Sequence, residues 1–215
     1  MISGILLASA LTFVATPSPP PPAELAPETA ALVVSLRRPV PADTVYAEVR
    51  FVHMLRRPIL LRGELHYGGA GQLGKRVDAP YKETTTIAGA DVRVQREDKS
   101  ERMFSLERAP ELGALLSGFS ALLGGDAQAL NRDSSVEATR RGESWQLKLT
   151  PRSAALVKQL STMIVDGRGN EPSCFTLREA DGDSSTMLLG SLAQAKFGDP
   201  LTRESVEKLC VGPTP

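Results

Sequence analysis

The sequence predicts an α+β protein built on a strongly curved antiparallel sheet of about ten or eleven strands. The stretch from Pro58 to Gly89 reads as a strand, a glycine turn and two further strands. Ser144–Pro151 alternates apolar and polar residues and ends on a proline. Strands and helices do not alternate along the chain in the βαβ manner, so a doubly wound parallel sheet is not expected.

The N-terminal residues are expected to lie outside the folded domain. Residues 1–15 form an apolar run that is too short to span a bilayer and ends in small residues, as a secretory signal does, although no Lys or Arg precedes Arg37. Residues 16–27 are a proline-rich spacer that favours extended geometry. We therefore expect export, with a single domain over residues 28–212.

The first elements of that domain are a helix and a strand. PETAALVVSLRR, from Pro27, has helical spacing, with Arg37 and Arg38 in its last turn, and ends before Pro39. VYAEVRFVHML, from Val45 to Leu55, then alternates. Its apolar face carries Val45, Ala47, Val49, Phe51 and Leu55, and its half-exposed face carries Tyr46, Glu48 and Arg50.

The same alternation predicts the remaining strands, and the Gly68–Gly69 and Gly89–Ala90 pairs predict hairpin turns between them. These strands are expected at residues 60–67, 75–78, 81–87, 91–95, 102–106, 135–140, 144–149, about 158–165, 174–179 and 185–189. A closing helix is expected over TRESVEKLC.

A helix that has almost no polar side interrupts the strands after Pro110. PELGALLSGFSALLGG places its leucines and Phe119 at helical spacing, and the opposite face holds only Gly, Ala and Ser. No charge follows Glu111 in this stretch, so the helix is not expected on a wet surface. Asp126 is expected to cap a short helix, DAQALNR, that follows.

Composition argues against several classes of function. Lys plus Arg equals Asp plus Glu, at 25 each, which removes the electrostatic basis for binding nucleic acid. The two cysteines, Cys174 and Cys210, would most simply form one disulfide in an exported protein, whereas in the cytosol they would be two buried thiols. Neither lies near the N-terminus, where a lipid-modified cysteine would be needed.

The chain has no complete motif for catalysis, metal binding or cofactor binding, so we expect no catalytic residues, no metal and no cofactor. Gly69–Gly74 matches G-x-G-x-x-G, but it continues into a strand and not into a helix. His53 and His66, which could lie on paired strands, lack a third ligand at a recognisable spacing. Ser120 falls within a helix, and the acidic stretch Arg178–Asp183 reads as a turn.

The order and spacing of several short motifs resemble the periplasmic outer-membrane lipoprotein carrier (LolA-like) family over roughly Leu32 to Leu192. Within this family the chain resembles a divergent LolA-related branch, whose members also occur beside pigment and aryl-polyene lipid biosynthesis genes. The motifs are Tyr46-x-Glu48-x-Arg50, Pro58 with Gly63-x-Leu65-x-Tyr67, Leu73-x-Lys75, Pro80-x-x-Glu83, Pro110 with Leu112, the run from Leu122 to Asp126, Trp145-x-Leu147-x-Leu149-x-Pro151, and Gly182-Asp183.

The resemblance implies an incomplete antiparallel β-barrel with helices as a lid over a hydrophobic cavity. In the family, this cavity receives lipoprotein acyl chains from an inner-membrane transporter and passes them to an outer-membrane receptor, without catalysis. The resemblance thus implies a monomeric periplasmic chaperone for lipid or lipoprotein cargo. Well-studied carriers of the family have an Arg-Pro pair in the turn after the second strand, and this Arg hydrogen-bonds the lid shut. This chain has Gly69 and Ala70 there, so its lid must close differently. The cargo is therefore open between a lipoprotein, another lipid and a lipid-linked precursor.

Apolar side chains are the candidate ligand-binding residues, with the helix over 111–123 as part of the lid. The residues expected to line the cavity are Val49, Phe51, Leu65, Leu115, Leu116, Phe119, Leu122, Trp145, Leu147, Leu149, Met163 and Met187. One alternative is a non-transporting envelope accessory that docks through the sheet edge. Another is an acyl-handling hydrolase, but no nucleophile–base pair can be built from the two histidines and the Ser and Cys residues.

Overall fold

The computed structural model describes residues 24–211, apart from the side chain of Glu111. The expected signal segment and most of the spacer therefore lie outside the described residues. The described chain forms one 11-stranded antiparallel sheet, with strand order β6-β5-β4-β3-β2-β1-β11-β10-β9-β8-β7. The sheet is open, since β6 and β7 form its two edges, and the predicted α+β class with an incomplete barrel is confirmed.

Most elements were predicted within a few residues of their observed bounds. The strands are β1 (Ala42–Phe51), β2 (Ile59–Gly69), β3 (Gln72–Ala79), β4 (Glu83–Ala88), β5 (Asp91–Arg96), β6 (Arg102–Ser105), β7 (Ser134–Arg141), β8 (Ser144–Pro151), β9 (Leu160–Arg168), β10 (Glu171–Glu179) and β11 (Ser184–Leu189). The α-helices are α1 (Pro27–Ser35), α2 (Pro110–Gly124), α3 (Ala127–Asp133), α4 (Ala154–Val157) and α5 (Arg203–Val211).

Two predicted boundaries were wrong. Strand β1 ends at Phe51 and not at Leu55, because the chain leaves the sheet and turns, with the Leu55 N–H donating to the Val52 carbonyl. Helix α1 ends at Ser35, so Arg37 and Arg38 lie beyond it.

Three short helical segments were not predicted, because they are too brief to show a period. They are the 3₁₀ turns Leu106–Arg108 and Gly190–Gln194, and α4, whose N-terminus is capped by the Ser153 hydroxyl.

The two arginines after α1 instead attach it to neighbouring elements. The Arg37 Nε donates to the Gly124 carbonyl at 3.1 Å, and the Arg38 backbone N–H donates to the Leu123 carbonyl at 2.8 Å. The Arg38 guanidinium pairs with Glu171 at 2.6 Å. The bonds to Gly124 and Leu123 hold the C-terminal end of α2 against the chain that follows α1, and the Arg38–Glu171 pair holds that chain against β10.

One face of the sheet, here called the inner face, lies beneath α1, α2 and α3. Its inner cluster joins buried residues of those helices to strands on both sides of β1. The buried members are Leu32, Val33, Leu36, Tyr46, Leu61, Val77, Ala121, Leu122, Leu130, Trp145, Leu147, Leu149, Met163, Val165, Phe175 and Leu189.

The opposite, outer face carries a smaller outer cluster beneath α5. Its buried members are Val49, Cys174, Leu188, Val206 and Cys210. Cys174 of β10 and Cys210 of α5 are joined as a disulfide, with 5.6 Å between their Cα atoms. No helix within residues 24–211 is both long enough and apolar enough to cross a bilayer.

Candidate functional site

Helix α2 rests on the inner face through small residues and one aromatic contact. The rings of Phe119 and Phe175 meet edge to face, with 5.1 Å between their centroids. A Cβ placed on Gly118 would lie 3.8 Å from the Met163 methyl, so the helix approaches the sheet closely there. Its leucines are mostly only partly buried, as are Phe119 and Ser120. An apolar helix thus covers the sheet without being enclosed by it.

Nine of the twelve expected cavity residues meet in the inner cluster. Leu122, Trp145, Leu147, Leu149 and Met163 are buried in it, and four others pack against it while partly exposed. Those four are Leu65, Leu115, Phe119 and Met187. Leu116 is also partly buried on α2. The structure therefore brings together apolar side chains from β2, α2, β8, β9 and β11.

Val49 and Phe51 lie elsewhere, and their expected position is corrected. Both belong to the outer cluster under α5, on the face away from α2. The apolar side of β1 points outward because α5 covers it, whereas Tyr46 and Glu48 point inward. Alternation separates the two faces of a strand but does not say which helices cover each one.

A polar cluster lies on the inner face beside these apolar residues. Glu48 is only 3 % exposed and accepts hydrogen bonds from the Arg50 Nε at 2.7 Å and the Ser185 hydroxyl at 2.7 Å. The Lys75 ammonium pairs with the second Glu48 oxygen and lies 5.2 Å from the centroid of the Tyr46 ring. We call Tyr46, Glu48, Arg50, Lys75 and Ser185 the polar cluster.

The cations keep the buried carboxylate charged. Burial alone would raise the pKa of Glu48, but the charge of Lys75 and the hydrogen bond and charge of Arg50 outweigh it and lower that pKa to about 2. Burial lowers the pKa of Lys75, and Glu48 opposes this effect. Burial, with the nearby Glu48 charge, raises the pKa of Tyr46. The cluster therefore contains two cations and one carboxylate.

Sequence reasoning placed Tyr46, Glu48 and Arg50 on a half-exposed face, did not relate them to Lys75, and so missed the cluster. A signal was present in the sequence, because Tyr46, Glu48 and Arg50 alternate on β1 and Lys75 has the same parity as Val77 on β3. Their approach across the sheet depends on the β1–β2–β3 register, in which Thr44 opposes Leu65 and Leu65 opposes Lys75. That register is not readable from either strand alone.

Two surface cavities lie away from α2. One, of about 380 Å³, is lined mainly by outward-facing residues of β2, β3 and β4, including His66, Arg76 and Thr86. The other, of about 210 Å³, is bordered by Asp166 and Cys210. Burial raises the pKa of Asp166, while a hydrogen bond from Gln146 opposes that rise. Neither cavity is lined by the α2 residues expected at the site.

The two histidines lie at opposite ends of the β1–β2 hairpin, so they are not neighbours. His53 lies in the loop after β1 and its Nδ1 is 2.7 Å from an Asp183 oxygen. His66 lies in β2 and its Nδ1 is 2.6 Å from an Asp43 oxygen. His53, Asp181 and Asp183 lie close enough to share an ion, but they are exposed or partly exposed and His53 already bonds Asp183.

Other sequence interpretations agree with the structure. Gly69 and Gly71 form the β2–β3 turn with φ of 113° and 71°, and no helix follows, as expected for a hairpin. Ser120 lies within α2, and the Arg178–Asp183 stretch contains the β10–β11 turn. Asp126 caps α3, since its side chain accepts from the Ala129 N–H at 2.9 Å.

Comparison with known proteins gives the family of the chain. The chain is similar to a LolA superfamily protein of Nitrosomonas europaea (12% identity, 82% of this chain and 97% of that chain, TM-score 0.43). It is also similar to a Vibrio parahaemolyticus domain described as outer membrane lipoprotein-sorting (9% identity, 84% and 97% coverage, TM-score 0.41). No curated protein matches the sequence significantly. The model of the family described as "outer membrane lipoprotein carrier protein LolA-like" matches residues 23–213, so the chain belongs to this family.

Proposed function

We propose that the protein is a periplasmic carrier that holds the acyl chains of a lipoprotein or another lipid between α2 and the inner face. It would take them from an inner-membrane transporter and pass them to an outer-membrane receptor, without catalysis. The observation that carries the proposal is α2, an apolar helix that rests only partly buried on an apolar sheet face. Membership of the LolA-like family supports the same role.

Hydrocarbon binding needs a contiguous apolar surface. Burying one methylene contributes about 0.8 kcal/mol, so a long acyl chain gains roughly 10 kcal/mol from a dry surface of sufficient length. The inner cluster supplies leucine, methionine, phenylalanine and tryptophan side chains in contact with one another. Its chemistry therefore fits an acyl chain.

Cargo entry requires α2 to separate from the sheet, because Leu122, Leu147 and Leu149 are at most 1 % exposed. The helix is held at its C-terminal end by the hydrogen bonds from Arg37 and Arg38. Its contact with the sheet is apolar, through Phe119 and Gly118. A chain that replaces this contact exchanges one apolar surface for another, so opening in the presence of cargo costs little.

The disulfide supports export. A bond between Cys174 and Cys210 persists in an oxidising compartment such as the bacterial periplasm and is rare in the cytosol. Trapping free thiols in protein from whole cells checks this. No reaction of either cysteine with a thiol reagent is expected, and full reaction would contradict the periplasmic assignment.

The direct test of carriage is native mass spectrometry of protein purified from its own membrane fraction. A co-purifying lipid or acylated peptide mass is expected. Phe119→Asp should remove that mass, because a carboxylate placed against Phe175 makes the acyl surface polar.

Met103→Asp is the matched control, since Met103 is 62% exposed on edge strand β6. It should retain the bound mass. A wild-type protein that never carries lipid, or a Phe119→Asp variant that carries as much as the wild type, would contradict the proposal.

A second candidate, an envelope accessory that docks through the sheet edge, is favoured by one observation. Edge strand β6 exposes Met103 and Phe104, and unpaired edges bearing apolar residues are sites of strand addition. This role predicts binding to a partner protein in the absence of lipid, and loss of that binding in Met103→Asp. Lipid carriage that survives the same substitution separates the two roles.

A further inference from the structure

We propose that Tyr46, Arg50 and Lys75 bind the anionic headgroup of an amphiphilic cargo, while the adjoining inner cluster binds its hydrocarbon chain. The inference rests on the carrier role proposed above and adds the chemical class of the cargo. The headgroup would be a phosphate or carboxylate covalently joined to one or more hydrocarbon chains.

Fold stability does not explain the polar cluster. Three charged groups lie on a face whose other members are mainly apolar, and Glu48 has lost nearly all its contact with water. Taking such ions out of water is costly, and apolar residues of similar volume often serve stability as well or better. A binding role accounts for retaining two cations at this position.

The two cations are partly exposed to solvent, whereas the carboxylate that they share is almost fully buried. The side chains of Arg50 and Lys75 are 41% and 25% exposed, but that of Glu48 is only 4% exposed. Glu48 receives the Arg50 Nε and Nη2, which leaves further N–H donors on the guanidinium. Lys75 likewise has three donors and one carboxylate partner. Glu48 positions both cations, and one positive charge is left over within the polar cluster; Glu83 is the next carboxylate that acts on Lys75.

A neutral donor lies beside these cations. The Tyr46 hydroxyl is buried and has no hydrogen-bond partner among the described residues. Buried polar groups are nearly always paired, so an unpaired one calls for an explanation. An anionic oxygen would accept from this hydroxyl and from the Lys75 ammonium, which lies over the same ring. This unpaired donor indicates a ligand as well as a charge.

The cluster borders the proposed acyl surface. On either side of Glu48 in the sheet lie Leu61 and Met187, and both belong to or pack against the inner cluster. An amphiphile with its headgroup at Arg50 and Lys75 would therefore place its first methylenes against these two residues. A polar end and an apolar surface in contact favour a single molecule that has both.

The test compares two amphiphiles with the same chain. Dodecyl phosphate and dodecyl maltoside, both below their micelle concentrations, are used to displace a neutral naphthylamine dye from the full chain. Half of the dye should leave the wild-type protein at a dodecyl phosphate concentration about tenfold lower than the dodecyl maltoside concentration that has the same effect. One charge-assisted hydrogen bond implies a preference of this size. Inorganic phosphate should displace no dye and should not compete with dodecyl phosphate.

Variants assign the preference to the cluster. Lys75→Gln should reduce the preference for dodecyl phosphate over dodecyl maltoside to about twofold or less. Lys75→Arg should retain the preference, because a cation remains. Arg76→Gln is the matched control, since Arg76 is the next residue on β3, faces outward and pairs with Glu64. If Lys75→Gln fails to fold, Arg50→Gln removes the other cation, leaves Lys75 paired with Glu48 and should lose the preference in the same way.

Each outcome decides a separate point. Equal displacement by the two amphiphiles, or a folded Lys75→Gln protein with full preference, overturns the headgroup site while leaving the carrier role in place. Competition by inorganic phosphate shows a free-anion site and also overturns it. Failure of both amphiphiles to displace the dye overturns the carrier role and this inference with it.

Discussion

The two faces of the sheet are covered in different ways. The inner face is broad, lies beneath three helices and includes buried charges. The outer cluster is smaller, lies beneath α5 and contains both cysteines of the chain, which are bonded to each other. Helix α5 is therefore attached covalently, whereas α1, α2 and α3 are held by noncovalent contacts alone. The difference fits the proposed carriage, in which the outer side stays fixed and the inner side opens for cargo.

The largest expected effect is on the inner face, in Glu48→Gln. Removing the carboxylate leaves Arg50 and Lys75 without their buried partner, so the free energy of unfolding should fall by about 3–5 kcal/mol. Glu64→Gln breaks an exposed pair with Arg76 and should cost no more than about 1 kcal/mol. Urea unfolding measures both. Equal effects of the two substitutions would remove the energetic distinction of the polar cluster.

The same carboxylate predicts acid sensitivity. The pKa of Glu48 is lowered from 4.5 to about 2, so its stabilising contribution is present above pH 4.5 and is lost as pH falls toward 2. Glu48→Gln should lose less stability than wild type over this interval. Parallel curves of unfolding free energy against pH would contradict the assignment.

The outer side predicts the next effect, in the double variant Cys174→Ala/Cys210→Ala. The bond closes a loop with a sequence separation of 36. In the chain-entropy model such a loop contributes up to about 4 kcal/mol, and measured losses are typically about 2–4 kcal/mol. Urea unfolding and dye binding are both measured. Stability should fall while the wild-type affinity for dodecyl maltoside is retained, and a parallel loss of affinity would break the distinction between the two faces.

A smaller effect is expected where Trp145 crosses the neighbouring strand. A Cβ on Gly167 would lie 2.1 Å from the Trp145 Cζ2 and 2.5 Å from the Glu171 carbonyl oxygen, so both the ring and the neighbouring backbone would have to move. Gly167→Ala should destabilise the protein by about 1–3 kcal/mol and change Trp145 fluorescence. Gly198 has open space around it, so Gly198→Ala should stay within about 0.5 kcal/mol of wild type. A silent Gly167→Ala would contradict the close packing at Trp145.

The smallest effect is expected at the surface pair of His53 and Asp183. The Asp183 hydrogen bond raises the pKa of His53, so the pair stabilises the fold below the ordinary pKa of 6.5 and loses this effect as pH rises through the raised value. The small deficit of His53→Gln relative to wild type should therefore be fully present below pH 6.5 and should shrink as the pH rises through the raised pKa of His53. A deficit that grows over that range would refute this sign.

Local pattern was sufficient for most of the secondary structure. Alternation with glycine and proline turns predicted the strands, and the leucines after Pro110 predicted α2, because each signal repeats within a few residues. The end of β1 was not predicted, since VHML continues the alternation while the chain leaves the sheet. Helix α4 has only four residues, which is too few to show a period.

The candidate site could be predicted only in part. The residues of α2, β8 and β9 were expected together because an apolar helix and strand can pack only on another apolar surface, and they do meet in the inner cluster. That they bind cargo stays a prediction. Val49 and Phe51 were misplaced, and the role of Glu48 and Lys75 was missed, for one reason. Both faces of β1 are covered, so the more apolar face is not the one beneath α2.

The sequence by itself determined the class of fold, the order of its elements and the apolar character of α2, because these depend on residues close together in the chain. Tertiary structure alone decided which face of each strand meets which helix, and which charges meet on β1 and β3. A strand's alternation is symmetrical between its two faces. Only the packing of distant helices and the register of neighbouring strands assigns each face its surroundings.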